Sequence, residues 1–403
     1  MAPHDLSPDP EYALLLDAVA PAGSSRVDHR SWAPGRWGRL LDIADWHRLS
    51  PALFTHLSAV EGAPAPVMSA LERAYLANTA RSMFIRDAAA RVVTTLDEAG
   101  VRSMLLKGAA LVETVYADPA EREMLDIDVL VPDDQLDRAT AAVIALGYTP
   151  RLDAEAPVDG ERPLGLSTAQ HHEAALVSPD KLVAVELHRH IAISEEGGNF
   201  SLDGMWERAR SGPKTGHRVP SPEDLMIHVC FHFTRNRLGG SAHRRNTGGA
   251  LAQVLDIRRL VDGEAIDFDR LTHTARELGL GTRVFLGLFA ARELGVSIPR
   301  EAIERIRPRD FDDALGRRLV ALRVLRAGDH IPVRSMRWMF APSREALRRG
   351  WNADPNATLS LARAYMRRAK AHVPEARSAV GRPWVYLQDR RLNGQIEALG
   401  ERR

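Results

Sequence analysis

Leu105–Pro132 reads LLKGAALVETVYADPAEREMLDIDVLVP. An apolar run stops at Lys107-Gly108, about three turns of helical pattern follow, and Asp126-Ile127-Asp128 opens a second apolar run, Val129–Val131. Side chains two apart on a strand share a face, their Cα atoms about 6.5–7 Å apart. Asp126 and Asp128 are therefore expected to point the same way while Ile127 enters the core. Two carboxylates so placed can hold one or two hard cations, and Mg²⁺ takes one or two protein carboxylates plus substrate phosphates. Burying two like charges side by side without a cation is costly. Upstream, Lys107 ends the first strand, and Gly108 permits close backbone approach at the N-terminus of a helix over Ala109–Tyr116. The N–H groups and positive end of that helix suit a phosphate. Arg122 is placed to add a charge-assisted contact to a phosphate oxygen. D-x-D alone is common as a solvated strand end or a cap; the ordered combination of strand, turn, helix and paired acids carries the metal–phosphate reading.

The run L-K-G-x-x-L, then Tyr116, then R-x-x-x-D-I-D-V-L-V resembles the nucleotidyltransferase superfamily that includes DNA polymerase β. Within it, the chain looks most like the bacterial uncharacterised nucleotidyltransferase family, with the abortive-infection nucleotidyltransferase toxins as more distant relatives. The resemblance extends to Val185-Glu186-Leu187-His188 and to Leu225–Asp256, and so covers most of residues 40–300. It implies that Asp126, Asp128 and Glu186 are the metal-binding acids of a two-Mg²⁺ site and that Lys107 and Gly108 form the phosphate-side loop of an NTP site. Many superfamily members carry Gly-Ser in that loop. Here Gly108 is followed by Ala109, so a hydroxyl contact to the triphosphate is missing.

Outward from this stretch, three-and-four apolar spacing predicts amphipathic helices over Trp37–Val60 and Pro66–Ala99. The second carries Leu71, Tyr75, Leu76, Met83, Ala88, Val92 and Leu96 as its inner face and stops at Gly100. A short helical piece, Glu11–Val19, precedes them. Val101–Leu106 reads as the first strand, Gln135–Leu146 as a helix closed by Gly147, and Tyr148–Leu152 as a short strand. Glu173–Ser178 and Leu182–His188 flank Pro179-Asp180-Lys181 and read as a hairpin. Together these give a mixed sheet of four or five strands. Laying Leu182–His188 beside Asp126–Val131 would bring Glu186 to the edge that holds the two aspartates.

From Ser201 the strand signals vanish. Helices are expected over Leu225–Phe233, after an N-cap at Ser221 with Pro222 and two acids behind it, and over Leu251–Val261. Arg235–Gly249 reads as a polar loop. Phe268–Leu278 and Thr282–Leu294 read as an antiparallel pair, followed by Ala302–Ile306, Phe311–Leu325 and further helices beyond Gly328. The expected fold is α+β: a small mixed sheet of the polymerase β-like type, flanked by N-terminal helices and a C-terminal helical domain. Its divisions fall at 1–99, 100–200 (the core), 201–328 and 329–403.

The 403 residues carry a formal net charge of +1, which by itself names no partner. From Asp329 onward, however, Lys and Arg outnumber Asp and Glu by 15 to 7. Solvated arginines on amphipathic helices explain this tail most simply, and it favours nucleic acid only weakly. The single cysteine, Cys230, forms no intrachain disulfide and reads as a core residue. There is no signal-peptide pattern and no apolar run of about 18 residues, so no membrane span and a cytoplasmic protein are expected. Phosphate-loop, nucleophile-elbow and dinucleotide fingerprints are missing, which leaves serine hydrolases and nicotinamide enzymes without support.

Among fifteen histidines, His188 and His190 share a strand face with Glu186, and His228 and His232 lie at i, i+4 on a helix. Either pair could ligate a transition metal, but each is more often structural, and Val229 after His228 breaks H-E-x-x-H. His188 reads better as orienting a phosphate, a carboxylate or the nucleophile beside Glu186. Asp256 reads as a cap or as the partner of Arg235 or Arg237.

The leading expectation is a Mg²⁺-dependent enzyme that transfers a nucleoside monophosphate from an NTP to a hydroxyl acceptor and releases pyrophosphate. The acceptor stays open between a small molecule, a protein side chain and a tRNA end. The alternative, favoured by the missing loop serine, is a catalytically silent module that keeps the fold and binds a nucleotide or a partner. A zinc hydrolase built on the histidines is the third reading.

Overall fold

The computed structural model describes residues 9–19, 27–150, 175–192, 201–238, 249–309 and 311–325. The chain divides into two compact units, one of residues 8–233 and 248–306, the other of 1–7, 234–247 and 307–403. No helix among the described residues is long and apolar enough to cross a membrane. Helices expected beyond Gly328, and the outer ends of the Tyr148–Leu152 and Glu173–Ser178 strands, lie outside the described residues.

The first unit opens with helices α1 (Pro10–Val19), α2 (Pro34–Trp46), α3 (Ser50–Ser58) and α4 (Ala65–Glu98). The single helical pattern over Trp37–Val60 is thus two helices. The break falls at Arg48, whose φ of 57° is left-handed, and Pro51 sits in the first turn of α3. Helix α4 ends as its sequence predicts. Gly100 takes φ 64°, its N–H donates to Asp97 O and that of Val101 to Leu96 O, the pairing that satisfies terminal carbonyls when the residue after the cap turns left-handed. Its inner face is rotated from the expected one: Leu76 and Met83 are exposed, while Asn78 and Ser82 are buried. Asn78 Nδ2 donates to Ala120 O at 2.7 Å, and a hydrogen-bonded amide takes the inward position that apolar spacing had given to its neighbours.

Among the described residues the sheet has five strands: β1 (Met104–Leu105), β2 (Asp126–Leu130), β3 (Thr149–Pro150), β4 (Leu176–Val177) and β5 (Ala184–His188), in the order β1-β2-β5-β4-β3. Only β2 and β5 run parallel; β1 pairs antiparallel with β2, and β3, β4 and β5 pair antiparallel in turn. The sheet is mixed, as expected, although its first strand is shorter than Val101–Leu106. Ile127, Val129, Val185 and Leu187 are buried; this core face alternates with the one that bears the acids. Helices α5 (Lys107–Thr114) and α6 (Leu136–Ala145) connect the strands.

Beyond Ser201 come α7 (Asp203–Arg208) and a two-stranded hairpin, β6 (Arg210–Ser211) and β7 (Arg218–Val219). The hairpin corrects the expectation that strands end at Ser201; two-residue strands leave no alternation to read. Its turn is latched to α5. Glu113 Oε1 accepts from the backbone N–H of Lys214 and of Thr215, both at 2.6 Å, and Lys214 Nζ donates to the carbonyls of Val112 and Tyr116. Helix α8 (Pro222–Phe233) is buried around most of its circumference and is packed by α9 (Ala250–Gly263), α10 (Phe268–Glu277) and α11 (Gly281–Glu293). Cys230 lies in this packing, where a Cβ on Gly287 of α11 would stand 2.7 Å from its Cβ. Helix α12 (Arg300–Ile306) closes the unit. In the other unit, Thr234–Leu238 is helical where a loop was expected and packs on Ala321–Leu325, which follows α13 (Asp313–Val320).

Candidate functional site

Parallel pairing of β2 with β5 sets Asp128 opposite Glu186 and Leu130 opposite His188. The face of β2 that carries Asp126 and Asp128 therefore continues onto the face of β5 that carries Glu186 and His188. One atom each from Asp128, Glu186 and His188 lies within 4.8 Å of the others, the one such metal-competent group among the described residues. Asp126 sits one strand pitch away on the same face, half-buried and outside that group. Of the histidine pair on β5, only His188 joins; the strand ends there, so the alternation that would have aligned His190 stops.

Lys107 closes the cluster. Its ammonium contacts Asp128 Oδ1 at 2.5 Å and Glu186 Oε2 at 3.8 Å, while His188 Nε2 stands 2.7 Å from the same Asp128 oxygen and 3.6 Å from Glu186 Oε2. Lysine, rather than the glycine after it, takes the left-handed backbone at the strand–helix join, with φ 44°, a conformation that side-chain-bearing residues rarely adopt outside constrained sites. Leu106 N–H donates to Asp128 O at 2.9 Å, which ties the start of α5 to the second aspartate, and no side chain caps that helix. A Cβ on Gly108 would meet Met124 Cγ at 3.1 Å.

The electrostatics separate the two aspartates. Burial alone would raise the Asp128 carboxyl, but the Lys107 ammonium and the His188 hydrogen bond hold it well below the usual carboxylate range. Asp126 is pushed up to about 7 by burial and by the charges of Asp128 and Glu186, against the pull of Lys107 and His188. Lys107 is itself shifted upward: burial opposes its charge, and Asp128 and Glu186 outweigh burial. Three carboxylates and an imidazole are an oxygen-rich donor set with a surplus of negative charge at Asp126. That surplus is what a divalent cation would relieve, so the residues fit a hard metal.

Arg122, expected at a phosphate, has its fork committed elsewhere. Its Nε and Nη2 donate to Asp256 Oδ1 and Oδ2 at 2.7 and 2.9 Å, and Tyr116 Oη donates to Asp256 Oδ1 at 2.7 Å. Asp256 is thus an ion-pair acid, as expected, with Arg122 as its partner. His228, read with His232 as a possible zinc pair, lies near the cluster with its ring fully buried. Burial, then the charges of Lys107 and His188, push it down to about 3, and its ring stands edge-on to that of His232, 6.2 Å between centroids. Arg48, on which the charges of Arg122, Glu123 and Asp126 act, has nothing in an amphipathic helical pattern to mark it out.

The family model described as Uncharacterised nucleotidyltransferase matches residues 33–295, which includes the sheet, the cluster and α8–α11. No protein of curated function matches the chain.

Proposed function

Because this chain belongs to the uncharacterised nucleotidyltransferase family, which supports a nucleotidyl-transfer function, we propose that it moves a nucleoside monophosphate from an NTP to a hydroxyl acceptor at the Asp126–Asp128–Glu186 face, with release of pyrophosphate. The observation that carries this reading is the β2–β5 register, which sets Asp128 opposite Glu186 with His188 on the same face. Asp126, Asp128 and Glu186 would hold magnesium, which when bound lowers the pKa of an acceptor hydroxyl and offsets charge on the phosphates. His188 and Lys107 fix the Asp128 carboxylate in one orientation and keep it ionised. Lys107, at the head of α5, is also the cation nearest the helix N-terminus, where a triphosphate would find N–H donors. Glu186, with a fifth of its side chain exposed, is the acid best placed to take a proton from an acceptor.

Purified protein incubated with each α-labelled NTP and a cellular acceptor pool should show Mg²⁺-dependent label transfer that disappears in Asp126→Asn. Unchanged transfer in that variant overturns the mechanism. The silent-module reading is favoured by Ala109 in the loop and by the hold of Lys107 on Asp128. Calorimetry that finds NTP binding without turnover across the acceptor pool would select it.

A further inference from the structure

Four helix ends among the described residues of the first unit share one backbone pairing. After α4, α10 and α11 the left-handed position is filled by Gly100, Gly279 and Gly295. After α2 it is filled by Arg48, with φ 57°, where Arg48 N–H donates to Asp45 O and Leu49 N–H to Ala44 O at 2.9 and 2.8 Å. Glycine is the residue that adopts this conformation without strain, so an arginine here is held against local preference.

Arg48 is half-buried, and no hydrogen bond or ion pair joins its side chain to another described residue. The groups around it are Arg122, Glu123, Asp126 and Arg81; burial and the two arginines pull it below its ordinary range, while Glu123 and Asp126 oppose them. Arg122 is neutralised by Asp256, and Arg81 is exposed. Asp126 thus stands among acids crowded enough to want a cation, and its charge also acts on Arg48, a guanidinium with no ion-pair partner within reach among the described residues. A metal-bound polyphosphate offers both charges at once.

The corner is also built to stay in place. Gly249 N–H donates to Trp46 O at 2.8 Å, and Leu251 N–H to His47 Nδ1 at 3.4 Å. Both donors sit at the start of α9, the helix whose Asp256 holds Arg122. One helix thus holds both the corner that carries Arg48 and the guanidinium of Arg122.

We propose that Arg48 is a substrate-binding residue, supplying a guanidinium fork to the phosphate chain of the NTP beside Asp126. This rests on the nucleotidyl-transfer reading. Loss of one charge-assisted contact of this kind weakens binding by about 10- to 100-fold.

The test measures binding of the α,β-methylene analogues of the four NTPs, with Mg²⁺, to the full chain and to Arg48→Gly, Arg48→Lys and the surface control Arg300→Ala. The wild type should bind at least one analogue, Arg48→Gly should bind it about 10- to 100-fold more weakly, Arg48→Lys should recover part of the loss, and Arg300→Ala should match the wild type. The loss should shrink for the corresponding nucleoside monophosphate. Arg48→Gly should melt at the same temperature as the wild type or higher, since glycine suits the backbone; a merely structural arginine would melt lower. Equal NTP affinity in wild type and Arg48→Gly overturns the assignment and leaves the nucleotidyl-transfer reading standing. A wild type that binds none of the analogues overturns both. Weakened binding of a single-stranded RNA oligonucleotide with unchanged NTP affinity also overturns it, and would assign Arg48 to an acceptor phosphodiester.

Discussion

Asp126→Asn should stabilise the metal-free protein while abolishing transfer, and the gain should depend on pH with a defined sign. Asp126 has a folded-state pKa of about 7 against an ordinary 3.8, so the folded chain binds its proton more tightly than the unfolded chain does. Below the ordinary value the carboxyl is neutral in both states and the substitution changes little. As pH rises through the interval to about 7, the wild type loses stability that the amide keeps. At about 1.4 kcal/mol per unit the ceiling is about 4 kcal/mol, and partial exposure and relaxation of the carboxylate reduce it to about 2 kcal/mol. Urea denaturation in EDTA should show Asp126→Asn near the wild type at pH 4 and about 2 kcal/mol more stable at pH 8. Added Mg²⁺ should stabilise the wild type at pH 8 and the variant less. A variant equal to or weaker than the wild type at pH 8, with its fold intact, would refute the argument that like charges crowd this face.

Asp128→Asn should behave in the opposite way. It removes the acid that Lys107 and His188 share, and breaking a buried pair costs about 3–5 kcal/mol; the same urea curves at pH 8 read the loss. Because that carboxyl is held low in the folded state, the stability it gives is present at neutral pH and fades only as pH falls through its folded value. Arg122→Ala should cost a similar about 3–5 kcal/mol, and Tyr116→Phe only about 1 kcal/mol, both read by denaturation. Gly287→Ala places a Cβ 2.7 Å from that of Cys230 and should lose about 1–3 kcal/mol to overpacking between α8 and α11. The Cys230 thiol, pushed up by burial, should resist alkylation in the native state and react once the protein is unfolded, as mass spectrometry would register.

The acids were legible in the sequence because alternation on a strand is a strict rule. Asp126 and Asp128 flank a buried Ile127, and Glu186 stands where parallel pairing brings it. Sheet type and most helices followed from periodicity and caps; Ser221-Pro222 and Gly100 marked their termini well. What escaped depended on partners distant in sequence. Arg122 could not be seen to face Asp256, 134 residues away, so its charge was assigned to a ligand. The inner face of α4 was misread because Asn78 finds a carbonyl to bond, which hydropathy does not anticipate. The break at Arg48 escaped because a left-handed arginine leaves no compositional trace, and the hairpin after Ser201 because its strands are two residues long.

The pairing of Asp128 with His188 spans sixty residues of chain and joins two strands that run the same way. Such a junction is reached late, since the entropy of closing so long a loop must be met before any ladder contact rewards it. During synthesis the first two acids emerge well before their partners on β5. A ribosome-bound fragment that ends before Ala184 would hold Asp126 and Asp128 as an open pair, with no third carboxylate and no imidazole. The four side chains come together only in the closed sheet, because two come from each of its parallel strands.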